Sequence, residues 1–292
     1  MAQSGGGSVA GVGQHYVPQA YLRHFQIPDR PGFFWLFDKQ GGEPHIASIT
    51  KVVQSHDYYS PETEAALARN VEKQGNQAME RLLQGKQLNS SERDDLSFYI
   101  AVMLMRGPYR RRMFLERYPK VLAETMAETR SEIMAAALAA DPAYATPLLA
   151  QVNAIGQQFA LHPPPKVVAQ MREPSPDKSM VAAIHNMVWR VLESSGPCYF
   201  ITSDTPVFLH ADLGLGLPES EVCFPLSTTR ALHGCWYGQR GSLTFLQASQ
   251  QSVKEINRRL ASMADRLAFY HEPAPWLQQI LSKTYSFQNL IK

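Results

Sequence analysis

The 292 residues predict an α+β protein, a predominantly helical single domain with an N-terminal hairpin and a small antiparallel sheet in the C-terminal half. Three observations carry this. Aromatic-rich Phe33-Phe34-Trp35-Leu36-Phe37-Asp38 lies between Pro31-Gly32 and Gly41-Gly42, the punctuation of a strand and a turn. Apolar residues then recur at helical spacing through the central third. Beyond it the period shortens, and runs separated by Gly, Pro and Ser follow one another.

Taken in order, residues 46–53 pair with 33–38 as a hairpin. After Ser60-Pro61, Leu67, Val71, Ala78 and Leu82 share one helical face up to Gly85. Ser91 with Asp94 reads as a capping box, and Leu96, Ile100, Met103 and Leu104 extend a helix that Gly107-Pro108 ends. The Ala, Met, Leu and Glu content of 110–140 favours one long helix, with Pro119 kinking it or opening a second segment. A helix over 147–161 follows, then His162-Pro163-Pro164-Pro165 forces an extended break. Val181, Ile184, His185, Val188 and Leu192 form a further helical stripe. Residues 198–202, 221–226, 231–237 and 242–247 are the strands, Ser252 with Glu255 caps a helix through Ile256, Leu260, Met263 and Leu267, and a short helix spans 276–281. No repeat or long linker divides the chain, so 14–292 reads as one domain.

Composition narrows the function classes. A net charge of +2 announces neither nucleic acid nor a membrane surface by itself. Residues 1–13 are Gly/Ser-rich without a basic start or apolar core, so they read as a flexible tail and not a signal peptide. No run approaches the roughly 20 apolar residues of a spanning helix. Cys198, Cys223 and Cys235 lack C-x-x-C spacing and read as buried thiols in a reducing cytoplasm. Gly5 to Gly13 lacks the strand and terminal Lys-Ser/Thr of a phosphate loop, and the methionine stripes read as core.

Two runs do not fit an amphipathic pattern: His15-Tyr16-Val17-Pro18-Gln19-Ala20-Tyr21-Leu22-Arg23-His24-Phe25 and Phe200-Ile201-Thr202-Ser203-Asp204-Thr205-Pro206-Val207. With Glu72, Arg106-Gly107-Pro108, Phe224-Pro225-Leu226-Ser227 and Asn257, they resemble the mainly bacterial family called domain of unknown function 4238, from His15 to about Tyr270. The family pattern has Asn where Thr205 stands and Thr where Gly107 stands, so the roles of those two positions stay open. The resemblance implies site positions and not a reaction.

The polar residues support two readings. In the first the protein is a cytoplasmic hydrolase acting on a phosphate-containing substrate such as nucleic acid. Here His15 is the general base, Glu72 and Asp204 are acid or metal-holding carboxylates, and Arg106 clamps the anion. Gln19, Tyr21, Ser203 and Asn257 complete the substrate contacts, and a divalent metal is a candidate cofactor. His15, Asp38, His45, His56, Asp57 and Glu72 could supply its ligands, although none falls in a metal-motif spacing. Asp38 facing Lys51 on a partner strand would suit a nuclease. Arg106, Arg110, Arg111, Arg112, Arg117 and Lys120, interleaved with Tyr109, Phe114 and Tyr118, could hold phosphate or pair with Glu116, Glu124 and Glu128 as a solvated helix face. In the second reading the protein is a non-catalytic binding or interaction protein. Gln19, Arg106, Asp204 and Asn257 then form a buried hydrogen-bond network, and Ser203-Asp204 is a turn whose carboxylate takes nearby amides.

Overall fold

A computed structural model describes residues 13–56, 61–140, 142–172, 174–209 and 214–283. The predicted tail, but for Gly13, and Asp57 lie outside them. The strands are β1 (Gly13–His15), β2 (Phe33–Asp38), β3 (His45–Ser48), β4 (Gln54–His56), β5 (Val188–Ser194), β6 (Thr202–Ser203), β7 (Phe208–Leu209), β8 (Val222–Pro225), β9 (Arg230–Cys235), β10 (Leu243–Ala248) and β11 (Leu267–Tyr270). The helices are α1 (Gln19–Leu22), α2 (Pro61–Leu67), α3 (Lys73–Leu83), α4 (Ser90–Arg106), α5 (Pro108–Ala140), α6 (Ala145–Leu161), α7 (Pro165–Arg172), α8 (Lys178–Asn186), α9 (Gln250–Met263) and α10 (Pro275–Leu281). The mixed α+β class holds. The chain packs as two compact units, one of residues 1–109 with 174–292 and one of residues 110–173.

In the larger unit the hairpin β2–β3 forms as the sequence predicts, but it belongs to a four-stranded sheet of order β3-β2-β11-β6. A second sheet has order β10-β5-β9-β8-β7; its β5–β9, β9–β8 and β8–β7 pairs are antiparallel, as expected of the C-terminal sheet, and β10–β5 is parallel. Strands β1 and β4 pair separately, with His15 opposite Gln54, so Gly13 is strand and not tail. Phe34 and Phe269 stack across β2 and β11 at 4.5 Å, while Tyr21 stacks on Phe224 at 5.1 Å. In the smaller unit α5 runs through Pro119, Tyr118 donates to the Phe159 carbonyl at 3.2 Å, and Gly156 lies against Met126. Its cations Arg112 and Lys120 pair with Glu116 and Glu124 at 3.9 and 4.0 Å on exposed helix surface. Such pairs contribute well under about 1 kcal/mol.

Other boundaries moved for identifiable reasons. The box on α4 is formed by Asn89 and Glu92, each accepting the other's backbone N–H at 2.9 Å, and not by Ser91 and Asp94. On α9, Ser249 caps by accepting the Ser252 amide at 3.1 Å, while Glu255 binds Arg258 and Arg259 instead. The stripe through Leu192 breaks after Asn186, where the buried Arg93 guanidinium donates to the carbonyls of His185 and Met187 at 2.8 and 2.7 Å. Those bonds satisfy helix-end acceptors, and Val188 onward becomes strand. Lys51 sits in a 3₁₀ turn (Ile49–Lys51) and not on a strand, and Asp38 is forked by Arg266 at 2.9 Å, which holds its carboxyl below the usual range. Cys198, Cys223 and Cys235 are buried free thiols. Among the described residues no helix is long and apolar enough to cross a membrane.

Candidate functional site

Glu72 closes a π-helical turn, Ala68–Glu72, between α2 and α3. Such turns reset side-chain direction within a helix and recur at functional sites. Glu72 Oε1 meets Arg106 Nη1, and Arg106 Nη2 donates to the His15 carbonyl at 2.9 Å. Arg106, the last residue of α4, is 1% exposed, and its guanidinium lies among these internal partners. A second carboxylate, Glu64, lies 4.0 Å from Arg106 Nη2. Burial raises its pKa despite Arg106, and its Oε2 has no hydrogen-bond partner among the described residues. The Tyr99 hydroxyl is likewise buried without one, its pKa raised by burial and then by Glu72. Tyr99 is held by close helix contact: a Cβ on Gly75 would fall 2.4 Å from its ring, so only glycine lets α3 and α4 approach this closely.

His15 is half-buried, and that burial lowers its pKa and favours the neutral ring. Gln54, its cross-strand partner, donates an amide to Nε2 at 2.9 Å and also binds the Thr50 carbonyl. The Gln19 amide nitrogen lies 3.3 Å from Nε2 and 3.4 Å from Nδ1. The imidazole is thus braced by two carboxamides above a main chain that Arg106 holds.

The downstream run forms a second group in which almost every polar atom is taken. Asn257, on α9, accepts from the Ile201 amide at 3.0 Å and donates to the Tyr199 carbonyl at 2.8 Å. The Tyr21 hydroxyl lies 2.8 Å from Thr202 Oγ1 and donates to the Pro225 carbonyl at 2.9 Å. Ser203 Oγ donates to the Thr205 carbonyl at 2.7 Å and accepts the Thr205 amide at 3.1 Å, a closed side-chain turn. Asp204 accepts from the amides of Asp265, Arg266 and Leu267 at 2.8, 2.7 and 2.8 Å. Those bonds explain why α9 goes no further: the Ala264 amide still reaches the Leu260 carbonyl, the three amides after it go to a carboxylate, and Leu267 leads a strand instead of the helix stripe.

The two groups meet at the end of α4. Arg106 grips the His15 backbone, and a Cβ on Gly107 would lie 3.5 Å from both the Asp204 carbonyl and Thr205 Oγ1. The side chains do not pool into one acid–base cluster, because the Asp204 carboxylate points into amides and the Ser203 hydroxyl into its own turn. Among the described residues no three His, Cys, Asp or Glu side chains are arranged to hold a metal ion. Sequence reading missed Glu64, Tyr99 and Gln54; only the β1–β4 pairing could have pointed to Gln54.

Gly107 and Thr205, the two positions whose roles the sequence left open, are neighbours. Thr205 Oγ1 is buried with no hydrogen-bond partner among the described residues, and Gly107 has φ −75° and ψ 153°, open to any residue. Gly107→Thr should therefore give that oxygen a hydroxyl partner and lower unfolded-chain entropy. An increase of about 1 kcal/mol in unfolding free energy by urea titration is expected; a decrease would show the space to be closed.

Fold and site together define a mixed α+β protein organised around buried polar clamps. The model of the family described as Protein of unknown function (DUF4238) matches residues 13–274, and the chain belongs to that family. Comparison with curated proteins and with solved structures returned no match.

Proposed function

We propose that this chain is a non-catalytic binding protein whose motif residues are a structural frame for a ligand-bearing surface. One observation carries the reading: Tyr21, Arg106, Ser203, Asp204 and Asn257 are each at most 1% exposed and bonded internally. A satisfied buried network rigidifies a domain, and partial loss is costly. The free thiols fit a reducing bacterial cytoplasm as its setting.

A second reading, hydrolysis of a phosphate-containing substrate, draws on Glu64 and Tyr99. A carboxyl of raised pKa and a hydroxyl without a hydrogen-bond partner among the described residues, beside the Glu72–Arg106 pair and with His15 of lowered pKa nearby, are the parts of an acid–base site. In it His15 takes a proton and Glu64 returns one, with a divalent metal supplied from solution if one is needed. The two readings separate in one assay of wild type and His15→Ala with divalent cations against RNA, DNA and a generic phosphodiester. The binding reading expects no turnover from either protein. Turnover by wild type that disappears in a His15→Ala protein of unchanged melting temperature would overturn it in favour of the hydrolase.

A further inference from the structure

Helices α9 and α10 face each other with the same spacing of side chains. Gln251, Lys254, Glu255 and Arg258 stand at i, i+3, i+4 and i+7 on one, and Trp276, Gln279, Ile280 and Lys283 repeat the pattern on the other and in the turn after it. This spacing puts four side chains on one face of each helix, flanking the buried apolar stripes of Val253, Ile256 and Leu260 on α9 and of Leu277, Ile280 and Leu281 on α10. Here six of the eight positions are polar, and they line an open groove of about 200 Å³.

The groove is cationic. Lys254, Arg258 and Lys283 contribute three positive charges against the single carboxylate of Glu255, which binds Arg258 at 2.7 Å and Arg259 at 3.0 Å. Among the described residues neither lysine ammonium has a hydrogen bond or ion pair. Trp276 supplies an aromatic wall, set edge-on to Tyr199 at 5.2 Å and 66°. Gln251 and Gln279 add amides able both to donate and to accept.

Lysines neutralise phosphate, an indole stacks with a heterocycle, and carboxamides read its polar edge. We infer that the α9–α10 groove binds a nucleotide unit, its phosphate on Lys254 and Lys283 and its base against Trp276. The buried frame fixes this groove, since Asn257 ties α9 to the Tyr199 carbonyl and the Tyr199 ring bears on Trp276. The inference rests on the binding-protein reading for its role, but it shares no residue with the His15 region.

The test is a titration of the full chain followed by tryptophan fluorescence and by calorimetry. The probes are AMP, adenosine, inorganic phosphate and a single-stranded oligothymidylate. AMP should bind saturably and at least tenfold more tightly than adenosine or phosphate alone. Lys254→Ala/Lys283→Ala should weaken AMP at least tenfold at unchanged melting temperature, and Trp276→Phe should abolish the optical change while weakening the calorimetric affinity. Tighter capture of the oligonucleotide than of AMP assigns the ligand to a nucleic-acid strand, the reverse order to a free nucleotide, and either sustains the groove. No saturable response to AMP or the oligonucleotide, or affinity unaltered by the double lysine variant, overturns it. Such a failure would leave the frame intact, whereas hydrolysis dependent on His15 would overturn the binding-protein reading and not the groove.

Discussion

Asp204→Ala is expected to lower the unfolding free energy by roughly 3 kcal/mol or more. Three amide donors, of Asp265, Arg266 and Leu267, lose one carboxylate together. Hydrogen bonds to a charged group are worth about 1.5–3 kcal/mol each, but partial water access to the freed amides reduces the sum. For a chain of this size the melting temperature should fall by roughly 6–12 °C. Asp204→Asn keeps one acceptor oxygen and should lose about half as much. A loss below about 1 kcal/mol for the alanine variant would mean that the carboxylate does not hold the turn.

Arg106→Met is the second large effect. It leaves Glu72, 20% exposed, without its guanidinium and removes the donor to the His15 carbonyl. Breaking a buried pair on one side costs about 3–5 kcal/mol, because the remaining charge stays desolvated. Glu64, at 4.0 Å, loses the same counter-charge. The double variant Glu72→Leu/Arg106→Met should recover part of that loss, since replacing both partners with apolar groups removes the stranded charge. Urea titrations of the two single variants and the double variant give the coupling directly. Additive losses would show that the pair contributes no mutual stabilisation.

Much of the fold was legible. Gly and Pro punctuation around Phe33–Asp38 marked β2, and the apolar spacing of Leu96, Ile100 and Met103 marked α4, because local backbone preference and burial agree there. Two helix ends that failed were set by partners far away in sequence. Leu267 continues the α9 spacing, and only Asp204, more than sixty positions earlier, diverts the chain into β11. Val188 and Leu192 continue the α8 spacing, and only Arg93 ends that helix. The parallel β10–β5 pair is likewise a matter of topology, which alternation along one strand does not encode.

The candidate positions were legible as polar residues in runs where burial asks for none, but their roles were not. A polar residue in a motif looks the same whether it faces solvent or an amide. Ser203 reads as a substrate contact or a turn residue, and its hydroxyl bonds within its own turn; Arg106 reads as an anion clamp or a network member, and its guanidinium meets Glu72 and the His15 carbonyl. Glu64 and Tyr99 carried no signal at all: their significance lies in buried oxygens left without hydrogen-bond partners among the described residues.

The frame is tested most directly by native-state hydrogen exchange at the amides of Asp265, Arg266 and Leu267. In wild type these three should exchange slowly, opening only with the surrounding domain, and in Asp204→Ala they should exchange far faster while amides within α3 and α4 keep their relative order. Exchange in the wild-type protein as fast as that of an exposed loop would contradict the account.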